Sequence, residues 1–258
     1  EWIAQKQPNS SVLGDYYCHF VDTFNMEFSR DIEMNAEYLD NYYLSLIRNV
    51  REYKGEGSGR TFAESEEPLD SLMDGLGGWN GENVAVFRDF TGETIARSAL
   101  DTSGQNVLEN DTGRNDITEV RVAADRENVY LLIRTAEDVT APEEGDERWM
   151  NVYLGAEGAS DGWMGMQYVL NRTPEEGKTS LHRIDGGGFT FVGTCESSVE
   201  GNIMRIKVPR SAIGLPVGRS LGIKVADNLQ KDLDVAEFYV NGDAAPIGRM
   251  RYVYKVTE

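Results

Sequence analysis

The chain has 258 residues, enough to bury a sizeable core, and carries 44 acidic side chains against 25 basic ones for a formal net charge of −19. That balance repels phosphodiester backbones and anionic lipid, so it excludes nucleic acid and an anionic membrane surface as main partners and suits a neutral or cationic ligand. No apolar run reaches the ~20 residues of a membrane-spanning helix.

The chain starts at Glu1, with neither a Met nor a signal-peptide pattern, and so reads as a fragment of a longer protein or as a processed form, with any targeting signal upstream. Residues 1–60 are expected to form a helical N-terminal extension, the tail of an upstream domain. Within it, NAEYLDNYYLSLIRNVREYKG (35–55) spaces Leu39, Tyr42, Tyr43, Leu46, Ile47 and Val50 along one helical face. Asn35 suits the N-cap, Arg51 and Lys54 the negative end of the helix dipole, and Gly55 the stop. Such a stripe needs something to pack against, either the β domain or the upstream part. Asp22, Glu27, Asp31 and Glu33 gather in the same extension, where ion pairing with Arg30 and solvent exposure account for them more simply than carboxylate catalysis. The small, charged run GEGSGRTFAESEEP (55–68) reads as a linker, which places the boundary segment at 61–68.

From 69 to 258 the texture changes to short alternating segments broken by turn residues. Strands are expected at 84–90, 118–125, 128–138, 149–155, 165–172, 180–185, 189–197, 202–209, 221–228, 236–242 and 248–256. One short helical signal, RSAIGL, lies at 210–215. Gly186-Gly187-Gly188 lies between two strands, so it is a hairpin turn and not a phosphate cradle. This spacing predicts a mainly β fold, an antiparallel β-sandwich.

Nothing in the motifs points to an enzyme. His19 and His182 fall in different regions with no HExxH spacing, and no GxSxG, Walker A loop or strand-linked GxGxxG occurs. Cys18 and Cys195 are consistent with a bridge or with two buried thiols, and spacing does not decide between them. Calcium stays open. ENDTGRND (109–116) and ADNLQKDLD (226–234) carry oxygen ligands, but acidic loops are usually just solvated, and no metal site is assigned.

The ordered series LDSLMDGLGGWNGENVAVFRDF, TEVRVAADRENVYLLIRTAED, WMNVYL, MQYVLNR, GNIMRIKVPRSAIGL and GIKVADN resembles the family 9 carbohydrate-binding modules and their DOMON-like relatives over about residues 69–258. The resemblance implies a non-catalytic sandwich that binds a poly- or oligosaccharide. It would sit within a larger secreted or cell-surface protein, whose upstream domain is sugar-active, for example a glycoside hydrolase. It also implies aromatic clamps on a sugar ring. Trp149 follows the acidic loop APEEGDER and Trp163 the bend GASDG, so both are expected at one end of the sandwich, with Asn171 and Arg172 as carbohydrate-binding partners and Asp146 and Glu147 nearby. Partial burial in the core is the plainer role for a Trp at a strand end, and Trp79 in GGWNG is read as structural. Where related sequences carry an Asp-rich turn, LGAEGASDGW offers only Glu157 and Asp161, which weakens a calcium site there. DOMON-like relatives can hold haem between Met and His, which draws in Met150, Met164, Met166 and His182, although gap filling explains the methionines better. No cofactor is assigned. The alternative is a structural accessory sandwich that packs on the upstream domain without binding sugar.

Overall fold

The computed structural model describes residues 5–10, 14–21, 41–54, 59–100 and 107–257. The chain divides into two compact units, Glu1–Ser58 with Ser98–Glu109, and Gly59–Arg97 with Asn110–Glu258.

The first unit holds the hairpin of β1 (Gln5–Ser10) and β2 (Gly14–Val21), the helix α1 (Asn41–Lys54), and most of the pair β4 (Arg97–Leu100) and β5 (Val107–Asn110). The helix expected from apolar spacing is present, with Tyr43, Leu46 and Ile47 half-buried and Tyr42 and Val50 exposed. Asn35, Leu39 and the acidic group at 22–33 lie outside the described residues. The extension is not purely helical, because the β1–β2 hairpin precedes the helix. No helix among the described residues is long and apolar enough to cross a membrane.

The second unit is mainly β and antiparallel. Its strands are β3 (Ala85–Arg88), β6 (Ile117–Ala124), β7 (Asn128–Thr135), β8 (Asn151–Ala156), β9 (Tyr168–Glu175), β10 (Lys178–Asp185), β11 (Gly188–Glu200), β12 (Ile203–Pro209), β13 (Leu221–Asp227), β14 (Asp243–Ala245) and β15 (Tyr252–Tyr254). They join in one sheet in the order β14-β13-β8-β9-β10-β11-β12-β7-β6-β3, with β14 and β15 sharing one edge of β13 end to end. The sheet rolls until its ends nearly meet. Phe87 of β3 stacks on Tyr252 of β15 at 4.8 Å between ring centroids, and the Ile117 amide at the start of β6 donates to Asp243 Oδ2 of β14 at 2.6 Å. The antiparallel β reading therefore holds, but the strands form a single, nearly closed barrel where two stacked sheets were expected.

Side-chain alternation builds three apolar clusters. Val129, Leu131 and Ile133 of β7 point into the barrel with Val152, Leu154, Leu170, Ile206 and Ile223. On the outer face of the same strand, Tyr130 and Leu132 pack under Leu72 and a fully buried Trp79, whose Nε1 donates to Leu72 O at 2.8 Å. Trp79 is thus structural, as its position before the first strand suggested. A second outer cluster covers β8, β9 and β13 through Tyr153, Val169 and Ala226. Because β7 is buried on both faces, its sequence NVYLLIRT is almost continuously apolar.

Two local expectations change. Residues 61–68 are not a linker in this unit: Phe62 is buried in the core, bridges Val256 in parallel, donates its amide to Lys255 O and accepts from the Thr257 amide. The stretch 236–242 forms a short helix, α2 (Glu237–Val240), rather than a strand. Cys195 is a free, buried thiol whose pKa burial pushes up to about 12. The glycine hairpin is present as read: Asp185 pairs with Gly188, and Gly186 and Gly187 both take positive φ, as a two-residue turn between twisted strands requires.

Candidate functional site

One end of the barrel is open. The β7–β8 loop, the start of β8, the β9–β10 turn, the end of β11 and the start of β12 surround a concavity of about 550 Å³ there. Its walls are mostly apolar, from Val139, Pro142, Trp149, Pro174, Val199 and Met204, with Thr140, Asn171, Ser197 and Ser198 interspersed and Glu175 and Glu176 on the rim.

Trp149 is held in this wall by a chain of polar contacts that begins at a buried carboxylate. Asp227 closes β13 with no solvent exposure and accepts from Arg114 Nε at 2.8 Å, Arg114 Nη2 at 3.0 Å, Asn115 Nδ2 at 2.9 Å and the Met150 amide at 2.8 Å. Asn115 in turn accepts the Thr140 amide at 2.9 Å, and Thr140 O accepts Trp149 Nε1 at 2.7 Å. With its N–H satisfied by backbone, the indole is only 4% exposed and shows an edge of its surface to the concavity.

Asn171 lines the same concavity but has its amide engaged internally. Its Nδ2 donates to Met150 O at 2.6 Å and contacts Met204 Sδ at 3.2 Å, while its Oδ1 accepts from Thr179 Oγ1 at 2.6 Å. Met150 (φ 43°) and Asn171 (φ 67°) both occupy the left-handed region that non-glycine residues rarely adopt, so backbone strain concentrates directly behind Trp149.

The other two expected site residues lie elsewhere. Arg172 points to the opposite face of β9. Its guanidinium donates to Glu147 Oε2 at 2.5 Å and Asp232 Oδ1 at 3.1 Å and lies 3.7 Å from the Phe189 ring centroid. Trp163 is half-buried in the outer cluster, 5.1 Å from Phe238 and 5.9 Å from Tyr153 between ring centroids. The two tryptophans therefore sit on opposite faces of the sheet, and the paired clamp expected from the sequence is not built. The reason is the path of the 157–167 loop, which folds back over the outer face and lays Trp163 beside Tyr153, the outward residue of β8. Asp146 and Glu147 are likewise committed, to Arg114 at 2.7 Å and to Arg172. Met150 packs inward, whereas His182 lies outward against Phe191.

Val139, Pro142, Ser197, Val199 and Met204 were not singled out from the sequence. They meet only because β11 and β12 are in register (Val199 opposite Met204) next to the β9–β10 turn, and no local pattern encodes that juxtaposition. The groups whose ionisation shifts most lie outside the concavity. Burial first, and then a hydrogen-bonded Glu93, raise Asp243 well above the usual carboxylate range, and burial lowers Lys224 to about 7. Among the described residues no group of three or more His, Cys, Asp or Glu side chains is placed to hold a metal. Comparison with protein-family models, with curated proteins and with solved structures finds no match to this chain.

Proposed function

We propose that the barrel unit is a non-catalytic carbohydrate-binding module, with its site in the open end beside Trp149. The observation that carries this reading is the concavity itself. At about 550 Å³ it falls within the ~300–1,000 Å³ typical of small-molecule sites. It combines apolar walls, which suit the C–H faces of a pyranose, with hydroxyl, amide and carboxylate groups at the edges, which suit its hydroxyl rim. The likeness to family 9 carbohydrate-binding modules and their DOMON-like relatives is part of the same proposal. So are its corollaries: a location outside the cell or on its surface, and an upstream glycan-active domain in the same protein.

A second reading, a structural accessory barrel that binds no sugar, is favoured by two observations: the deep burial of Trp149 and the internal engagement of Asn171. Titration calorimetry against a panel of neutral oligosaccharides separates the two. Binding is expected for the wild type and absent in Val199→Arg. Residue 199 lines the concavity yet is 46% exposed, so an arginine there obstructs the opening without entering the core. Thermal melting of the variant should stay within a few degrees of the wild type. If no glycan binds, the accessory reading stands instead; if Val199→Arg binds as well as the wild type, the sugar is held elsewhere and the assignment to this concavity falls.

A further inference from the structure

The charges around the concavity define which sugars it would hold. Among the residues that line it there is no Lys or Arg, while Glu175 and Glu176 form one lip. The opposite lip, Val139–Pro142, is flanked in the chain by Asp138 on one side and by Glu143 and Glu144 on the other, all three exposed. Of these five carboxylates only Glu175 has an ion-pair partner among the described residues, Lys178 at 3.0 Å. Arg205, on β12, is buried and faces Glu200. The opening is therefore a negative collar above an apolar, Trp-walled floor, in a chain whose net charge is −19. Within a Debye length of about 8 Å at physiological salt, such a collar repels anions and concentrates cations.

We infer that this site, taken as the carbohydrate site proposed above, selects glycans bearing free amino groups, that is glucosamine-type oligomers, over neutral glycans, and excludes uronic-acid glycans. The apolar faces of the sugar ring enter the concavity, and the ammonium groups remain at the rim, where Glu143, Glu144 and Glu176 meet them without full desolvation. Exposed pairs of this kind are individually weak, so two or three together give a preference of about five- to tenfold.

The experiment is titration of the whole chain at pH 5.5 and low salt with four tetramers: fully deacetylated glucosamine, its N-acetylated counterpart, cellotetraose and galacturonate. At that pH the amine of glucosamine is protonated. The glucosamine tetramer should bind about five- to tenfold more tightly than the two neutral tetramers, and the galacturonate tetramer should not bind. Raising the salt to several hundred millimolar should remove the difference. The double variant Glu143→Gln/Glu176→Gln should equalise the neutral and amino sugars. A control of equal charge change away from the opening, Glu82→Gln/Asp185→Asn, should keep the preference. Equal binding of neutral and amino sugars by the wild type overturns the inference and leaves the carbohydrate reading standing. Loss of the preference in the control as well reduces it to bulk charge and also overturns it. Binding of none of the four removes both.

Discussion

Asp227 organises more of this molecule than any aromatic residue does. Its carboxylate gathers Arg114, Asn115 and the Met150 amide inside the barrel, and through Asn115 and Thr140 it fixes the indole of Trp149. Replacing it by Ala leaves the Met150 amide without its acceptor, leaves Arg114 with Asp146 alone and takes one of two acceptors from the Asn115 amide group, so Asp227→Ala should lose about 3–5 kcal/mol in urea denaturation, with Asp227→Asn losing less. Equal losses in the two variants would show that the carboxylate charge, and neither the volume nor the remaining amide oxygen, sets the cost. The role is hidden in the sequence, where ADNLQKDLD reads only as an acidic loop, because the partners of Asp227 are 77 to 113 positions away. Trp79 was legible because a tryptophan immediately before a first strand has little choice but to cover it. Trp163 was not, because its side of the sheet depends on how the 157–167 loop folds back.

At the scale of elements, alternation carried most of the information. Strands with one solvent-facing side announced themselves, and so did the helix α1 and the Gly186–Gly187 hairpin. What failed were segments whose structure is set by distant partners. Phe62 is the only large apolar residue of its run, yet it completes the core beside Tyr254, 5.6 Å away between ring centroids. The 236–242 stretch has strand-like composition but folds as a turn of helix over Tyr153. The loop between β8 and β9 depends on close backbone approach: a Cβ on Gly155 would lie 1.9 Å from Gly165 O. Gly155→Ala should therefore lift that loop and expose Trp163, costing about 1–3 kcal/mol. A red shift of tryptophan emission in the folded variant, together with a lower urea midpoint, is the expected result. Unchanged emission would mean that the loop is not seated by this contact.

For the whole molecule, the rolled sheet buries charge that two open sheets would have left at an edge. Lys224 is completely enclosed, its Nζ donating to Pro246 O and, at 3.4 Å, to Met250 O, and lying 4.3 Å from the Phe238 ring centroid, with Asp89, Asp243 and Glu93 as its acidic neighbours. Burial lowers its pKa from 10.5 to about 7, so between those values the unfolded chain binds a proton that the folded chain does not. Stability from this group is therefore complete above pH 10.5 and is lost as pH falls toward 7, at up to about 1.4 kcal/mol per pH unit. Asp243 runs the other way: its raised pKa favours the fold at low pH, and that advantage is lost as pH rises through the raised value. A stability minimum near neutral pH follows. In Lys224→Met the rise between pH 7 and pH 10 should vanish from urea midpoints measured at one-unit intervals, and persistence of the rise would assign it to another group. The parallel clasp of Phe62 on Val256 has a mechanical meaning too. A pull on the chain through residues 59 and 257 runs along the two clasped segments in opposite directions, so both of their hydrogen bonds bear the load together in shear, and tension would meet this clasp before it could peel any strand from the barrel.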